Sequence, residues 1–436
     1  MTHLVMSAEK IVHKITNLIE SPAFIKQHRH SAKDFTRSRT LSFANLIKFQ
    51  LNMVRGALQD ELNAFFATLE DKNDHLERRV TDSAYCQARL KLNPSVYQAI
   101  NQHICDIFYA EAEFNQWHGK RLLAVDGSVM DLPDHPALWG AYGAVNSSSL
   151  HPSARLSTLY DPLNQLTVDL QIASCCIGER ELARRHLSFA QPGDLVLYDR
   201  GYPAFWLFAL HQKMGVDFCA RTPWNLYNES RDLFHRREKE GEFTLTPSAE
   251  AIQQCQELGL SIAPLPLRVI NIDLPDSDEP ELLITSLTDS ETYPHEEFSA
   301  LYHQRWYTEE SYKTIKSRLE IENLTGYSTR AVEQDISARW VTMNLNAILI
   351  FDAEKLLQDE LKAKALKNQY KVNRANSLRQ TKHNIVRLLQ QLNPLQLWHK
   401  LIKAMALVKE PVRTGRKYPR TFKKSGPRFA MRYKRV

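Results

Sequence analysis

Three acids in this chain stand where a carboxylate can do more than face solvent. Asp126 closes the apolar run Arg121-Leu-Leu-Ala-Val-Asp126 and is followed by Gly127 and Ser128. Asp199 closes a second run, Asp194-Leu-Val-Leu-Tyr-Asp199, and is followed by Arg200 and Gly201. Each run reads as a buried strand ending in an acid, and the glycines let the chain turn sharply there. Acids at the carboxyl ends of strands are a recurrent site geometry in α/β folds; singly, each also serves as an ordinary turn cap. Asp131 and Asp134 follow closely, but Asp126 alone ends the apolar run. The third acid, Glu309, lies in Tyr302-His-Gln-Arg305-Trp-Tyr-Thr-Glu309-Glu-Ser-Tyr-Lys313-Thr-Ile-Lys316. At helical spacing Tyr302, Arg305, Glu309, Lys313 and Lys316 fall within about 80° of one another, beside an apolar stripe of Leu301, Tyr312, Ile315 and Leu319. Such a face is also compatible with plain solvated ion pairs, Glu309 with Lys313 for example. Three carboxylates drawn together repel one another and call for cations. An all-oxygen donor set suits Mg2+ or Mn2+ better than zinc. Two such ions activate a water or hydroxyl and neutralise a leaving oxygen, while neighbouring Arg and Lys hold phosphates. The chemistry indicated is in-line phosphoryl transfer on a nucleic acid.

The elements that must position these residues follow from pattern. Residues 1–115 read as helical, with apolar residues at helical spacing in Leu46, Ile47, Phe49, Leu51, Val54 and Leu58. Within them, Thr-Asp-Ser-Ala-Tyr-Cys-Gln-Ala-Arg-Leu-Lys-Leu from Thr81 reads as a helix start capped by Thr81 or Ser83, with Arg89 and Lys91 exposed. The texture then changes to mixed α/β. Residues 154–160 and 166–173 flank Asp-Pro-Leu-Asn-Gln and read as a hairpin. Residues 179–190 and 203–214 read as helices and 216–220 as a strand. Between Thr222 and Thr292, strands are expected at 242–246, 267–273 and 281–287, punctuated by Pro264, Pro266, Pro275 and Pro280. A helix is expected over 294–321 and another over 330–366. There is no internal repeat.

Composition narrows the classes. A chain of 436 residues with 43% hydrophobic content suffices for several buried cores. No apolar run approaches the roughly 18 residues of a membrane span, and Glu9, Lys10 and His13 leave no apolar signal core, so the expectation is an intracellular protein with no membrane. Six cysteines form no CxxC pair and read as small buried apolar side chains, excluding a disulfide framework or structural zinc. The net charge of +6 is concentrated in residues 411–436, which carry ten Lys or Arg and no acid, interleaved with Tyr418, Phe422, Phe429 and Tyr433. That mixture suits phosphates and base faces, or a solvated tail.

With both Asp motifs in order, Tyr302-x2-Arg305-x3-Glu309-x6-Lys316 resembles the signature of DDE transposases from bacterial insertion sequences of the IS-four group. The likeness runs from about Phe35 to Lys316. The resemblance implies a ribonuclease H-like core of α/β class with a β-rich insertion, preceded by a helical N-terminal domain and followed by a helical, basic C-terminal region. The corresponding divisions are 1–115 (DNA-binding), 116–221, 222–293 (insertion), 294–328 (catalytic Glu helix) and 329–436. It implies metal ligation by Asp126, Asp199 and Glu309, with Mg2+ or Mn2+, two ions. It implies cut-and-paste transposition through nicking, a hairpin and strand transfer. Its partners are terminal inverted repeats and target DNA, engaged as a homodimer in the bacterial cytoplasm. Tyr302, Arg305, Lys313 and Lys316 are then contacts to the DNA phosphates, joined by Arg200 and Arg221. Trp224, just after Arg221, is the candidate for stacking on an extruded base. Two rival readings stay open: a metal-dependent nuclease on the same fold, and a non-catalytic DNA-binding protein derived from a transposase.

Overall fold

The computed structural model describes residues 5–52, 56–70, 77–236, 238–272, 281–318, 321–362, 369–390 and 394–412. The basic tail lies outside them from residue 413 on, as does Leu319 of the expected apolar stripe. Eight strands form one sheet: β1 (Leu122–Asp131), β2 (Ser153–Asp161), β3 (Leu166–Ser174), β4 (Leu195–Tyr198), β5 (Asp217–Thr222), β6 (Glu240–Leu245), β7 (Leu265–Ile272) and β8 (Glu281–Thr285). Their spatial order is β3-β2-β1-β4-β5-β8-β7-β6. β1, β2 and β3 run antiparallel, while β4 and β5 run parallel to β1. All four residues of β4 are buried, as a central strand covered on both faces requires.

The expected hairpin is β2–β3, its two strands joined by a turn in which Asp161 Oδ1 accepts from the backbone N–H groups of Leu163 and Asn164. β1 departs from expectation. It does not stop at Asp126 but continues to Asp131, paired with β2 from Ala124↔Tyr160 to Asp131↔Ser153. What ends near Asp126 is the parallel pairing with β4, whose last partners are Ala124 and Leu197. The apolar run marked the stretch buried on both sides; beyond it β1 is partly open to solvent.

The strands after Thr222 also differ from a self-contained insertion. β8 pairs antiparallel with β5, so β8, β7 and β6 extend the central sheet, accompanied by helices Asn228–Arg236 and Ala249–Glu257. Residues 273–280 lie outside the described residues.

The first part of the chain is helical as expected, in Val5–Glu20, Pro22–His28, Phe43–Leu51, Leu58–Leu69, Asp82–Arg89 and Ser95–Glu111. These helices share one apolar core with Thr329–Lys362, Arg374–Leu388 and Pro394–Leu407 from the far end of the sequence. Ile11, Leu46, Phe65 and Ile104 meet Leu345, Ile385 and Trp398 there. The apolar stretch from Trp340 belongs to this buried 34-residue helix. Among the described residues no helix is long and apolar enough to cross a membrane.

Thr81 caps Asp82–Arg89 as expected, its hydroxyl accepting from Ala84 N (3.0 Å). Arg89 is not exposed. It is 3% accessible and donates to Asp335 Oδ1 (2.8 Å), Ala331 O (2.8 Å), Gln334 Oε1 (3.0 Å) and Thr325 Oγ1 (2.5 Å). Its neighbour Tyr85 is buried as well. An arginine can be buried when every donor is met by an acceptor and a carboxylate balances the charge; those acceptors come from residues far away in sequence. The cysteines are all free, but only Cys105, Cys219 and Cys255 are buried, Cys86 and Cys176 being exposed.

Candidate active site

The sheet brings Asp126 and Asp199 side by side. Extending the β1–β4 register two residues beyond Ala124↔Leu197 aligns them on adjacent parallel strands. Asp126 faces the same side as its β2 partner Thr158. Onto that face packs the helix Trp306–Arg318, anchored by Tyr312, whose hydroxyl donates to Asp126 O (3.0 Å) and accepts from Thr158 Oγ1 (3.1 Å). Tyr312 and Ile315 are buried against the sheet as the expected stripe requires. Glu309, three residues before Tyr312, is thereby brought near Asp126.

The segment bearing Glu309 is not one helix. A short 3-10 turn precedes Phe298–His303, and a break at Gln304 and Arg305 separates this from Trp306–Arg318. Through the break the N–H groups of Gln304, Arg305, Tyr307 and Thr308 each donate three residues back, to Leu301, Tyr302, Gln304 and Arg305. That spacing belongs to a tighter 3-10 turn. It re-aims Tyr302 and Arg305, which are both buried at 3% exposure rather than lying on a solvent face.

Arg305 occupies the middle of the acids. Its Nη1 is 3.7 Å from Asp126 Oδ2 and its Nη2 3.2 Å from Glu309 Oε1. Arg221, at the end of β5, stands 2.8 Å from Asp199 Oδ1 and 2.6 Å from Glu281 Oε1. Tyr302 donates to Tyr198 O (3.2 Å) with Asp199 Oδ1 3.5 Å away. Burial pushes the Asp126 carboxyl up to about 6, with Glu309 and Asp199 adding to the rise and Arg305 opposing it. Burial acts the same way on Asp199, but the backbone N–H of Arg200 and the guanidiniums of Arg305 and Arg221 outweigh it and hold that carboxyl below the usual range. One aspartate is therefore well compensated and the other is not.

The remaining expected residues are placed less centrally. Lys316 reaches back to β1 and donates to Val129 O (2.5 Å), while Lys313 pairs with Glu310 (2.6 Å) on the exposed side of its helix. The Arg200 side chain is exposed. Trp224 lies between β5 and Asn228–Arg236, part exposed, with its ring edge-on to His235 at 5.3 Å. Two large exposed aromatics that pattern reading passed over, Trp306 and Tyr307, follow directly after Arg305.

A fourth acid also was missed. A Cβ added to Gly127 would stand 3.4 Å from Glu179 Oε1, and one added to Gly201 3.6 Å from Glu179 Oε2. Glu179 therefore touches β1 at Gly127, next to Asp126, and the turn at Gly201 that follows Asp199. It starts the helix Glu179–His186, on the face opposite Asp126, and nothing in its local sequence ties it to either glycine.

Does this arrangement fit a divalent metal? The donors are carboxylate oxygens, as Mg2+ or Mn2+ prefers. Asp126 is a buried carboxyl lacking enough positive charge around it. Arg221 Nε and Arg305 Nε, donors buried beside the acids without a hydrogen-bond partner, suit a phosphate oxygen brought with such an ion. The chemistry fits. The spacing is that of a site held by a guanidinium: among the described residues no group of three or more His, Cys, Asp or Glu stands ready to hold an ion. Joint ligation by the three acids requires Arg305 to withdraw from between Asp126 and Glu309.

Comparison with known proteins adds to this geometry. The family model described as Transposase DDE domain matches residues 117–345. The chain is 23% identical over 271 residues to transposase InsG for insertion sequence element IS4 of Escherichia coli, covering 61% of this chain and 60% of that one. It is 25% identical over 194 residues to putative transposase y4zB of Sinorhizobium fredii, covering 44% of this chain and 52% of that one. The chain thus spans less than two thirds of the length of either relative. A solved piggyBac transposase synaptic complex with hairpin DNA superposes with a TM-score of 0.40 at 11% identity, covering 93% of this chain and 85% of that one.

Proposed function

Because the chain belongs to the transposase DDE domain family, we propose that it is the DNA transposase of a bacterial insertion sequence of the IS-four group, with Asp126, Asp199 and Glu309 as its metal-binding acids. The observation that most supports this is the meeting of all three around one guanidinium, Arg305, at the point where β1 and β4 part. A ribonuclease H-like core for residues 116–221 and 294–328 is supported by the order β3-β2-β1-β4-β5, with three antiparallel strands and two parallel to β1.

Bound at the acids, a pair of Mg2+ or Mn2+ ions supplies an activated hydroxyl and neutralises the leaving oxygen. The chain's own residues do the rest. Arg305, once displaced from the carboxylates, would hold a phosphate of the DNA, a ligand that suits a guanidinium. The backbone N–H of Arg200 and the Arg221 guanidinium help to hold the Asp199 carboxyl below the usual range. Tyr302 fixes the end of β4 through Tyr198 O. Lys316, Lys313 and Arg200 are the further contacts offered to the DNA backbone. Trp224 is offered as the surface on which an extruded base stacks. The reaction sequence is nicking at the element's ends, attack of the freed 3′-hydroxyl on the opposite strand to give a hairpin, hairpin opening, and attack of the 3′-hydroxyl on target DNA by a homodimer.

A DNA-binding role for the N-terminal helices is supported by a groove of about 860 Å³ lined by Lys33, Arg37, Arg39, Arg79 and Lys91. Among the described residues no acid lines it, although Arg79 is paired with Glu70 and Glu77 at its rim. Such a surface attracts phosphates and releases counterions.

The test is to incubate purified protein and Mg2+ with DNA bearing the element's ends and a separate target plasmid. Ends joined to the target support the transposase. Cleaved ends that never join would make it a nuclease, and binding without cleavage would make it a non-catalytic relative.

A further inference from the structure

The three acids, Arg305 and Arg221 lie on one face of the sheet, yet the glycines that follow both aspartates, Gly127 within β1 and Gly201 in the turn after β4, touch the other face. There Glu179 sits between Gly127 and Gly201, its two oxygens 3.4 and 3.6 Å from the positions their Cβ atoms would take. Arg155, on β2, fixes the carboxylate with a bond of 2.7 Å from Nη1 to Oε1, and its Nη2 reaches Cys175 O (3.5 Å). The adjoining Arg180 donates from Nε to Gly201 O (3.0 Å). The start of the helix Glu179–His186 therefore grips the Asp199 turn by its carbonyl and lies against the Asp126 strand at its glycine. The rest of that helix is tied to the same strands, since His186 at its end bonds Ser157 Oγ (2.9 Å) on β2 and Asp169 Oδ2 (2.7 Å) on β3.

This matters because β1 and β4 are no longer hydrogen-bonded to each other beyond Ala124↔Leu197. Asp126 stays fixed in the ladder with β2, so it is the position of Asp199 relative to it that depends on what bridges the gap. On one face Arg305 reaches Asp126 and acts on Asp199 through its charge, and in the metal-bound state proposed above it withdraws. On the other face the bridge is Glu179.

We propose that Glu179, held by Arg155, is a positioning residue that sets the separation of Asp126 and Asp199 by bracing the turn at Gly201 against β1 at Gly127. This rests on the reading of those aspartates as metal ligands. Glu179 itself acts from behind the ligands. A pair of acids held at fixed spacing loses less freedom on binding an ion than a pair of which one sits before a loose turn, so bracing appears as metal affinity.

Mn2+ titration of the full-length protein, followed by electron paramagnetic resonance, tests this without relying on activity. Wild type should bind Mn2+; if it does not, the metal-site reading itself fails. If wild type binds, Glu179→Ala should weaken binding about tenfold, while binding to DNA ends stays unchanged. Glu179→Gln, which keeps the shape and an acceptor for Arg155, should recover most of the affinity. Gln as defective as Ala would overturn the proposal and make Glu179 a ligand. Unchanged affinity in Glu179→Ala would overturn it as well. If Glu179→Ala does not fold, the exposed Arg180→Ala reports on the same brace through Gly201 and should weaken Mn2+ binding severalfold; no change there rejects the brace.

Discussion

At the residue scale the account turns on how the three acids are compensated. Asp126→Asn, Asp199→Asn and Glu309→Gln should each abolish strand cleavage yet leave end binding intact, as gel shift beside a cleavage assay would show; full cleavage by Glu309→Gln would remove it from the site. The raised Asp126 carboxyl has a further consequence. In the folded protein it keeps its proton up to about pH 6, against an ordinary 3.8, so its ionisation works against folding above that range. The difference corresponds to at most about 3 kcal/mol. Asp126→Asn should therefore raise the melting temperature at pH 8 by several degrees, with the gain shrinking as pH falls through 6 and gone near pH 4. A gain independent of pH would show that the carboxylate is not under charge stress. These acids could be proposed from the sequence, because an acid after an apolar run and a spaced Tyr-Arg-Glu-Lys set are local patterns. The posts of Arg305 and Arg221 beside the acids, and of Glu179 behind them, were not, because each is defined by partners that only folding brings near.

At the scale of elements, what could be read depended on the range of the contacts. The β2–β3 hairpin followed from alternation around a turn, and the cap at Thr81 from a local hydrogen bond. The break before Trp306 escaped because a few bonds drawn back by one residue barely alter the hydrophobic period. The joining of β8 to β5 escaped because strand pairing leaves no local trace. Arg89 escaped for the same reason, and it gives the sharpest test at this scale. It ties the helix Asp82–Arg89 to the long helix that follows the Glu309 segment, through Asp335 and Gln334. Arg89→Met should cost about 3–5 kcal/mol in chemical denaturation by leaving a buried carboxylate without its cation. Adding Asp335→Leu should restore most of it. If the single variant loses under 1 kcal/mol, the pair is not the clamp described.

For the molecule as a whole, the first and last helices close over a common core, so the sheet that carries the acids is held from both ends of the chain. Positive charge is concentrated on the N-terminal groove and in the last residues of the sequence, where 413–436 contain ten Lys or Arg and no acid. Deleting 413–436 should weaken DNA binding and flatten its dependence on salt, since each lost phosphate contact removes released counterions. An unchanged slope in a salt titration would exclude the tail from binding. The central claim is that Asp126, Asp199 and Glu309 together hold the divalent ions, with Arg305 standing between them until they do. The most direct measurement is an anomalous difference map from crystals of the protein on end DNA soaked in Mn2+. The account predicts density bridging the three carboxylates with the Arg305 guanidinium moved onto a phosphate. Density elsewhere, or Arg305 still lodged between Asp126 and Glu309 in an ion-loaded complex, would contradict it.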